Sequence, residues 1–139
     1  SCQTKSMATL VEYYLDELYK WKSLIDSHRE EINRLQEKLK TLLHSDYVLL
    51  FTGSAEQHLK RLVDCKQNIL HVHYAIQSFE RKLYKDQVLA VNKAVTDRIR
   101  RLHKQIRKDF QNALDEFSAV KNNCNQFIAY VANHIFSME

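Results

Sequence analysis

The chain contains no proline and a single glycine, Gly53, in 139 residues. Proline costs about 3 kcal/mol in a helix interior and glycine about 1 kcal/mol, so these two residues are the usual helix breakers. A sequence that avoids both can keep its helices long. The chain is therefore predicted to be all-α, with long helices and few turns.

The first apolar series recurs in alternating steps of three and four residues. A repeat of 3.5 residues holds an apolar seam against a neighbouring helix and is typical of coiled-coil-like packing. Thr9 and Glu12 have the spacing of a capping box, which predicts a first helix over about residues 8–51. His28 is the one polar member of a series that otherwise consists of Val11, Tyr14, Leu18, Trp21, Ile25, Ile32, Leu35, Leu39 and Leu42.

Gly53 follows this first series, and Ser54 with Gln57 again has the spacing of a capping box. Glycine adopts left-handed backbone conformations at little cost, so a tight turn is predicted at Gly53. A second helix over about residues 55–84 is predicted to run antiparallel to the first. Its apolar series again has heptad spacing: Leu62, Cys65, Ile69, Val72, Ile76, Phe79 and Leu83.

A third helix is predicted over about residues 87–137, because the apolar series resumes there after a shift of phase. The break is placed at residues 84–87 with Asp86 as the N-cap, since one unbroken helix would far exceed the usual length. When this helix folds back onto the second about residue 86, Cys65 faces about residue 107.

The Asn-rich run at residues 121–126 is a second candidate break. There the third helix is expected either to kink or to end and give a short fourth helix, because asparagine has weak helix propensity. The length fits one domain over residues 1–139. The predicted fold is an antiparallel bundle of three long coiled-coil-like helices, with the possible fourth helix at its end.

The end of the chain is apolar and extends past the predicted start of the second helix. An exposed apolar patch of this size usually marks an interaction surface. The tail is expected either to fold onto the bundle end that carries Tyr47, Val48, Leu50 and Phe51, or to be covered by a second copy in a homo-oligomer. The candidate interface residues are Phe127, Ile128, Val131 and Ile135.

No residue pattern in the chain predicts a metal site, a cofactor site or catalysis. Seven histidines are present, but none forms the Glu-x-x-His or His-x-x-x-His spacing that places two ligands on one helix face. Cys65 and Cys124 lie within apolar series, where a cysteine is usually a small core residue. One glycine does not suffice for a phosphate-binding loop. The protein is therefore predicted not to be an enzyme.

A basic segment spans residues 98–108 and contains no acidic residue. One interpretation is a solvated helix back with long side chains covering the edges of the core. The other is an anion-binding surface for nucleic acid or an acidic membrane. The segment has no aromatic residue, which argues against stacking of single-stranded bases. The candidate anion-binding residues are Arg98, Arg101, Lys104, Arg107 and Lys108; Arg100 is the sixth basic residue of the segment.

His28 is the candidate polar layer of the core. A single polar residue in an apolar seam can fix the alignment of helices at some cost in stability. The alternative for His28 is a pH switch, because burial disfavours the charged imidazole.

These patterns favour a non-enzymatic helical bundle that acts through protein–protein interaction or self-association, without a cofactor. One alternative is a peripheral module that binds acidic membrane or nucleic acid through residues 98–108; in outline it resembles the three-helix membrane-curving domains, although this chain is shorter and lacks kinking prolines. An odd number of cysteines favours a reducing compartment such as the cytoplasm. The Ser1-Cys2 start leaves a further alternative, a cell-envelope lipoprotein anchored at Cys2.

Overall fold

A computed structural model describes the backbone of residues 2–44, 50–86 and 93–138, and the side chains of residues 10–44, 50–86 and 93–135. Nearly all of these residues are helical. The three helices are α1 (Cys2–Leu43), α2 (Thr52–Asp86) and α3 (Lys93–Met138). The described ranges contain no strand, so the all-α prediction is confirmed.

The helices are long, with 42, 35 and 46 residues, against a usual mean of about 11–12. No proline interrupts them, and the one glycine, Gly53, lies in the first turn of α2. The last turn of α1 closes with the amide of His44 donating to the carbonyl of Lys40 at 3.2 Å. The absence of breakers therefore had the effect that the sequence predicts.

The chain divides into two compact units, and each unit contains a segment of every helix. Unit 1 consists of residues 1–26 and 70–112, and unit 2 of residues 27–69 and 113–139. Unit 1 combines the first part of α1 with the last part of α2, and unit 2 combines the last part of α1 with the first part of α2. Antiparallel neighbours pair in this way. A single domain over residues 1–139 stays a prediction.

The core of unit 1 is built from the predicted apolar series. The indole ring of Trp21 stacks on Phe110 with centroids 5.1 Å apart, and Tyr14 approaches Phe79 at 6.1 Å. Each fully buried Leu or Ile side chain contributes roughly 1.5–3 kcal/mol. The fully enclosed members in this unit are Val11, Leu18, Ile25, Ile76, Leu83 and Ile99.

In unit 2, α3 lies antiparallel to α2 and parallel to α1. Cys65 lies beside Glu116 and His58 lies on Phe127, so residue numbers fall on α2 as they rise on α3. Phe117 is almost completely buried. Other buried residues of this unit are Ile32, Leu35, Leu39, Leu62, Ile69, Ala113, Cys124 and Val131.

The first helix begins and ends earlier than predicted. It starts at Cys2 and ends at Leu43, so Thr9 and Glu12 lie inside the helix and do not cap it. The two residues have capping-box spacing, but no helix-breaking residue precedes them, so the helix continues through them. The stretch 45–49, with Tyr47 and Val48, lies outside the described residues.

The predicted turn at Gly53 is wrong. Gly53 lies in the first turn of α2, its φ is not positive, and the site of a Cβ atom has no neighbour within 4 Å. Ser54 therefore lies within the helix and is not its N-cap. The helix break falls earlier, between Leu43 and Thr52, where the last heptad positions of α1 give way to a run of apolar residues.

The second helix continues about two residues beyond its predicted end at residue 84. Asp86 is the last residue of α2 and is not the N-cap of α3, which begins at Lys93; residues 87–92 lie outside the described residues. The register of α2 against α3 also differs from the prediction, because Cys65 lies beside Glu116 and not opposite residue 107.

The predicted break at residues 121–126 is not found. The helix α3 is continuous through this run, and no fourth helix occurs in the described part of the chain. Cys124 within the run and Val131 beyond it are fully buried. Apolar burial at three- and four-residue spacing therefore outweighs the weak helix propensity of the asparagines, which is about 0.7 kcal/mol or less per residue.

The position of Gly53 generates a test of the helix start. Replacing Gly53 with Ala should raise the free energy of unfolding by about 0.5 kcal/mol, because a helical glycine with open space at Cβ gains only from reduced chain entropy. Ser54→Gly, one residue further along, should lower it by a similar amount. Thermal unfolding followed by circular dichroism measures both; destabilisation by Gly53→Ala would show a left-handed glycine, which costs alanine about 1 kcal/mol or more.

Candidate functional site

A cluster of aromatic and polar side chains surrounds His103 in unit 1. His103 is only 8% exposed. Its ring stacks on Tyr14 with centroids 4.0 Å apart and on Trp21 at 5.6 Å, both with an interplanar angle of 15°. Tyr14, Glu17 and Trp21 are spaced three and four residues apart, so one face of α1 presents all three to α3.

Glu17 provides the hydrogen-bond partner of the buried imidazole. Its Oε1 atom lies 2.5 Å from Nε2 of His103. Because a carboxylate oxygen accepts hydrogen bonds, the N–H group at Nε2 of His103 is the donor. A buried ring nitrogen without a partner would cost about 1–3 kcal/mol. Burial raises the pKa of Tyr14, whose ring stacks on His103. The Arg100 side chain, which is hydrogen-bonded to Tyr14, opposes that shift. The cluster thus fixes a polar layer between α1 and α3.

His28, the predicted polar layer, lies at the edge of the core in unit 2. It is half-buried and meets Phe117 edge-on at 5.1 Å. Its Nδ1 atom is 3.8 Å from the nearest carboxylate oxygen of Glu31 and has no hydrogen bond. The buried histidine is His103, which with Asp86 makes up the buried polar residues of the described chain. Sequence reasoning missed His103 by assigning Leu102 to the seam. Heptad spacing from Ile99 permits position 103 equally well.

The five candidate anion-binding residues are all exposed on α3 and are together called the basic face here: Arg98, Arg101, Lys104, Arg107 and Lys108. Arg98 and Arg107 are nine residues apart and therefore lie on its two opposite flanks. No ion pair within the described residues uses any of them. Arg101, Lys104 and Lys108 follow at three- and four-residue spacing, so they form one stripe. The stripe lies on the side of α3 away from the buried residues Ile99 and Ile106.

Charge is unevenly divided between the two units. Unit 1 has 13 of the 21 basic residues and eight of the 17 acidic ones, a formal charge of +5, whereas unit 2 has a formal charge of −1. Six of the basic residues of unit 1 lie within residues 98–108 of α3. The modest net charge of the whole chain therefore conceals a basic unit.

The candidate interface on the tail is partly covered within unit 2. Val131 is buried, and Phe127, Ile128 and Ile135 are half-buried. His58 stacks on Phe127 at 4.7 Å, and burial, aided by Arg61, lowers the pKa of that histidine.

Phe51 covers another part of the tail, just before α2. Its ring meets Phe127, Tyr130 and His134 edge-on at 5.3–6.4 Å. Residues just before and within the first turns of α2 thus pack on the tail without a kink in α3.

Both described cysteines are buried free thiols in unit 2. Burial raises the pKa of Cys65 to about 11, with further contributions from Glu116 and Asp64. Burial also raises the pKa of Cys124, although Lys38 opposes the shift. Protonated thiols are poor nucleophiles, so both cysteines have the character of core residues.

Four tyrosines of unit 1 have exposed side chains. They are Tyr13 and Tyr19 on α1 and Tyr74 and Tyr84 on α2. Tyr19 and Tyr84 are 73% and 59% exposed and lie near the ion pair of Lys22 with Glu80.

The described residues contain no group of three or more His, Cys, Asp or Glu side chains that could hold a metal ion. Among the helices described, none has the length and apolar character needed to cross a bilayer. The residues with notable chemistry are therefore the His103 cluster, the basic face and the exposed tyrosines.

The His103 cluster predicts a specific loss of stability. Glu17→Ala should lower the free energy of unfolding by about 1–3 kcal/mol, because it leaves Nε2 of His103 buried without an acceptor. Glu12→Ala, an exposed glutamate of the same helix, should change it by less than about 0.5 kcal/mol. Urea unfolding followed by the fluorescence of Trp21, the single tryptophan, compares the two variants. Equal effects would contradict the proposed pairing.

The thiols predict a difference in reactivity between folded and unfolded protein. In a Cys2→Ser background, iodoacetamide at neutral pH should leave the folded chain unmodified and alkylate two thiols after denaturation. The reason is that burial blocks access and keeps Cys65 and Cys124 protonated. Mass spectrometry counts the added groups, and rapid alkylation of either cysteine in the folded protein would identify a reactive thiol.

Comparison with protein-family models, with curated proteins and with solved structures found no match for this chain. The functional argument therefore rests on its own side chains. Two thiols and His103 lie in the core, whereas basic residues and tyrosines lie on the surface of unit 1.

Proposed function

We propose that this protein is a non-enzymatic helical bundle that acts through protein–protein interaction, with a second copy of the chain as its partner. The proposal includes the finer fold, an antiparallel arrangement of three coiled-coil-like helices. The observation that carries it is the exposed pair of Tyr19 and Tyr84 beside the ion pair of Lys22 and Glu80.

The two tyrosines lie on the same side of the α1–α2 pair. Tyr19 precedes Lys22 by three residues and Tyr84 follows Glu80 by four, so each shares a helix face with one member of the ion pair. In antiparallel helices, the direction towards the start of α1 is the direction towards the end of α2. Both tyrosines therefore lie about one turn from the ion pair in the same direction.

Such a pair has the chemistry of an interface centre. Tyrosine is enriched among the residues that dominate binding energy, because its ring offers a large apolar area and its hydroxyl can hydrogen-bond. A two-fold pairing would bring the same surface of both copies together, as in most homodimers. The flanking charges of Lys22 and Glu80 have opposite signs and suit a self-complementary surface.

Self-association through the tail residues Phe127, Ile128, Val131 and Ile135 is the competing interface. Partial cover by Phe51 and His58 leaves less apolar surface there for a second copy. This favours the tyrosine pair, which the described residues leave 73% and 59% exposed.

The test is the molar mass in solution as a function of concentration. The wild-type mass should rise from 16.5 kDa towards twice that value. The double variant Tyr19→Ser/Tyr84→Ser should weaken association at least about 30-fold, since a hot-spot side chain contributes about 2 kcal/mol or more.

The matched control is Tyr13→Ser/Tyr74→Ser, which removes two equally exposed tyrosines from the same helices and should leave association unchanged. Glu80 and Tyr74 are six residues apart and so lie about 120° apart around the helix. A monomer at every concentration contradicts self-association. Loss of the dimer with Ile128→Ser, but not with the Tyr19 and Tyr84 variant, would instead place the interface on the tail.

A further inference from the structure

We infer that the basic face of α3, joined at its α1 edge by Tyr13, binds the phosphate backbone of nucleic acid without sequence preference. This inference is independent of the proposed self-association, which uses the surface of α1 and α2. It rests on the exposure and spacing of the basic side chains, on the position of Tyr13 and on the burial of the apolar side of α3.

The basic face matches a polyanion in charge and length. Its five residues span about 15 Å at 1.5 Å per helical residue, and all five side chains are exposed. A strand of duplex nucleic acid carries one phosphate per about 3.4 Å, so four or five phosphates fit along this length. The excess positive charge of unit 1 adds long-range attraction to the same ligand.

Tyr13 adds an exposed aromatic ring to this surface. It precedes Glu17 by four residues, and Glu17 bonds to His103 of α3, so Tyr13 lies on the side of α1 that faces α3. In unit 1 these helices run parallel, since Tyr14 meets His103 and Trp21 meets Phe110.

This parallel register places Tyr13 level with about residue 102 of α3, near Arg100. Arg100 itself hydrogen-bonds to Tyr14, the next residue of α1. Tyr13 is 58% exposed, so its ring is available to stack on an unpaired base. Such stacking contributes about 1–3 kcal/mol per base. Although the segment 98–108 has no aromatic residue, the fold supplies one from another helix.

The apolar side of α3 favours nucleic acid over a membrane surface. Helices that bind membranes as amphipathic elements insert their apolar side into the lipid, but here Ile99, Ile106 and Phe110 are buried in the core. Three of the five residues of the basic face are arginines, whose planar guanidinium groups bind phosphate in a bidentate manner. An acidic membrane remains the comparison arm of the experiment.

The experiment measures fluorescence anisotropy of a labelled mixed-sequence oligonucleotide, single-stranded and duplex, over a range of salt concentrations. The wild-type protein should bind both with a dissociation constant that rises with salt, with a logarithmic slope of about 3–4 for four or five phosphate contacts. The variant Arg101→Glu/Lys104→Glu/Lys108→Glu should weaken binding at least tenfold.

The matched control is Arg34→Glu/Lys40→Glu/Lys60→Glu, which makes the same change of charge on exposed residues of unit 2. It should weaken binding less than threefold. An equal loss in both variants would show attraction by net charge alone and overturn the assignment to the basic face. Circular dichroism of each variant confirms that the helices are intact.

Tyr13→Ala separates the aromatic contribution from the charges. It should weaken single-strand binding about tenfold, as expected from loss of one stacked base, and leave duplex binding unchanged. No effect on single strands would exclude Tyr13 from the site. Salt-dependent binding to phosphatidylserine vesicles without binding to either oligonucleotide would overturn the nucleic-acid assignment in favour of a membrane, and absence of binding to all three ligands would overturn the site.

Discussion

Burial of apolar residues at alternating three- and four-residue spacing is the constraint on which the rest of the structure depends. Each helix exceeds 30 residues, and apolar burial on one stripe, more than intrinsic propensity, supplies most of the stability of such helices. This burial carries α3 through its Asn-rich run, because Cys124 and Val131 remain enclosed. Side chains outside this stripe are the ones that remain exposed on the surface.

The polar layer at His103 shows how an apolar helix stripe accommodates a polar side chain. Flat rings of Tyr14 and Trp21 enclose the imidazole, and Glu17 satisfies its nitrogen. An apolar residue at this position would pack in more than one register, whereas the pairing with Glu17 is satisfied in only one. The layer therefore aligns α1 with α3, and this alignment determines which α1 residues lie beside the basic face.

The sequence predicted the helical class and most of the core, since the buried residues of α1 and α2 follow the heptad series almost without exception. It misplaced the turns, because Gly53 and Asp86 have residue types that suit a turn but lie within helices. The register of α2 against α3 differs from the predicted one by about nine residues, since Cys65 meets Glu116. His103 was missed because positions 102 and 103 fit the spacing equally. Which of the two is buried depends on the contact with the neighbouring helix.

The division between core and surface bears on function. The potential nucleophiles Cys65 and Cys124 and the most buried histidine are used for packing, where burial suppresses the reactivity of the thiols. The surface of unit 1 keeps basic and aromatic side chains. No stretch of sequence brings Tyr14 of α1 and Arg100 of α3 together. Two long helices in parallel contact do so, because their register is fixed residue by residue. In a chain with few turns, a binding surface can therefore be built from the straight faces of helices, where every seventh residue returns to nearly the same side.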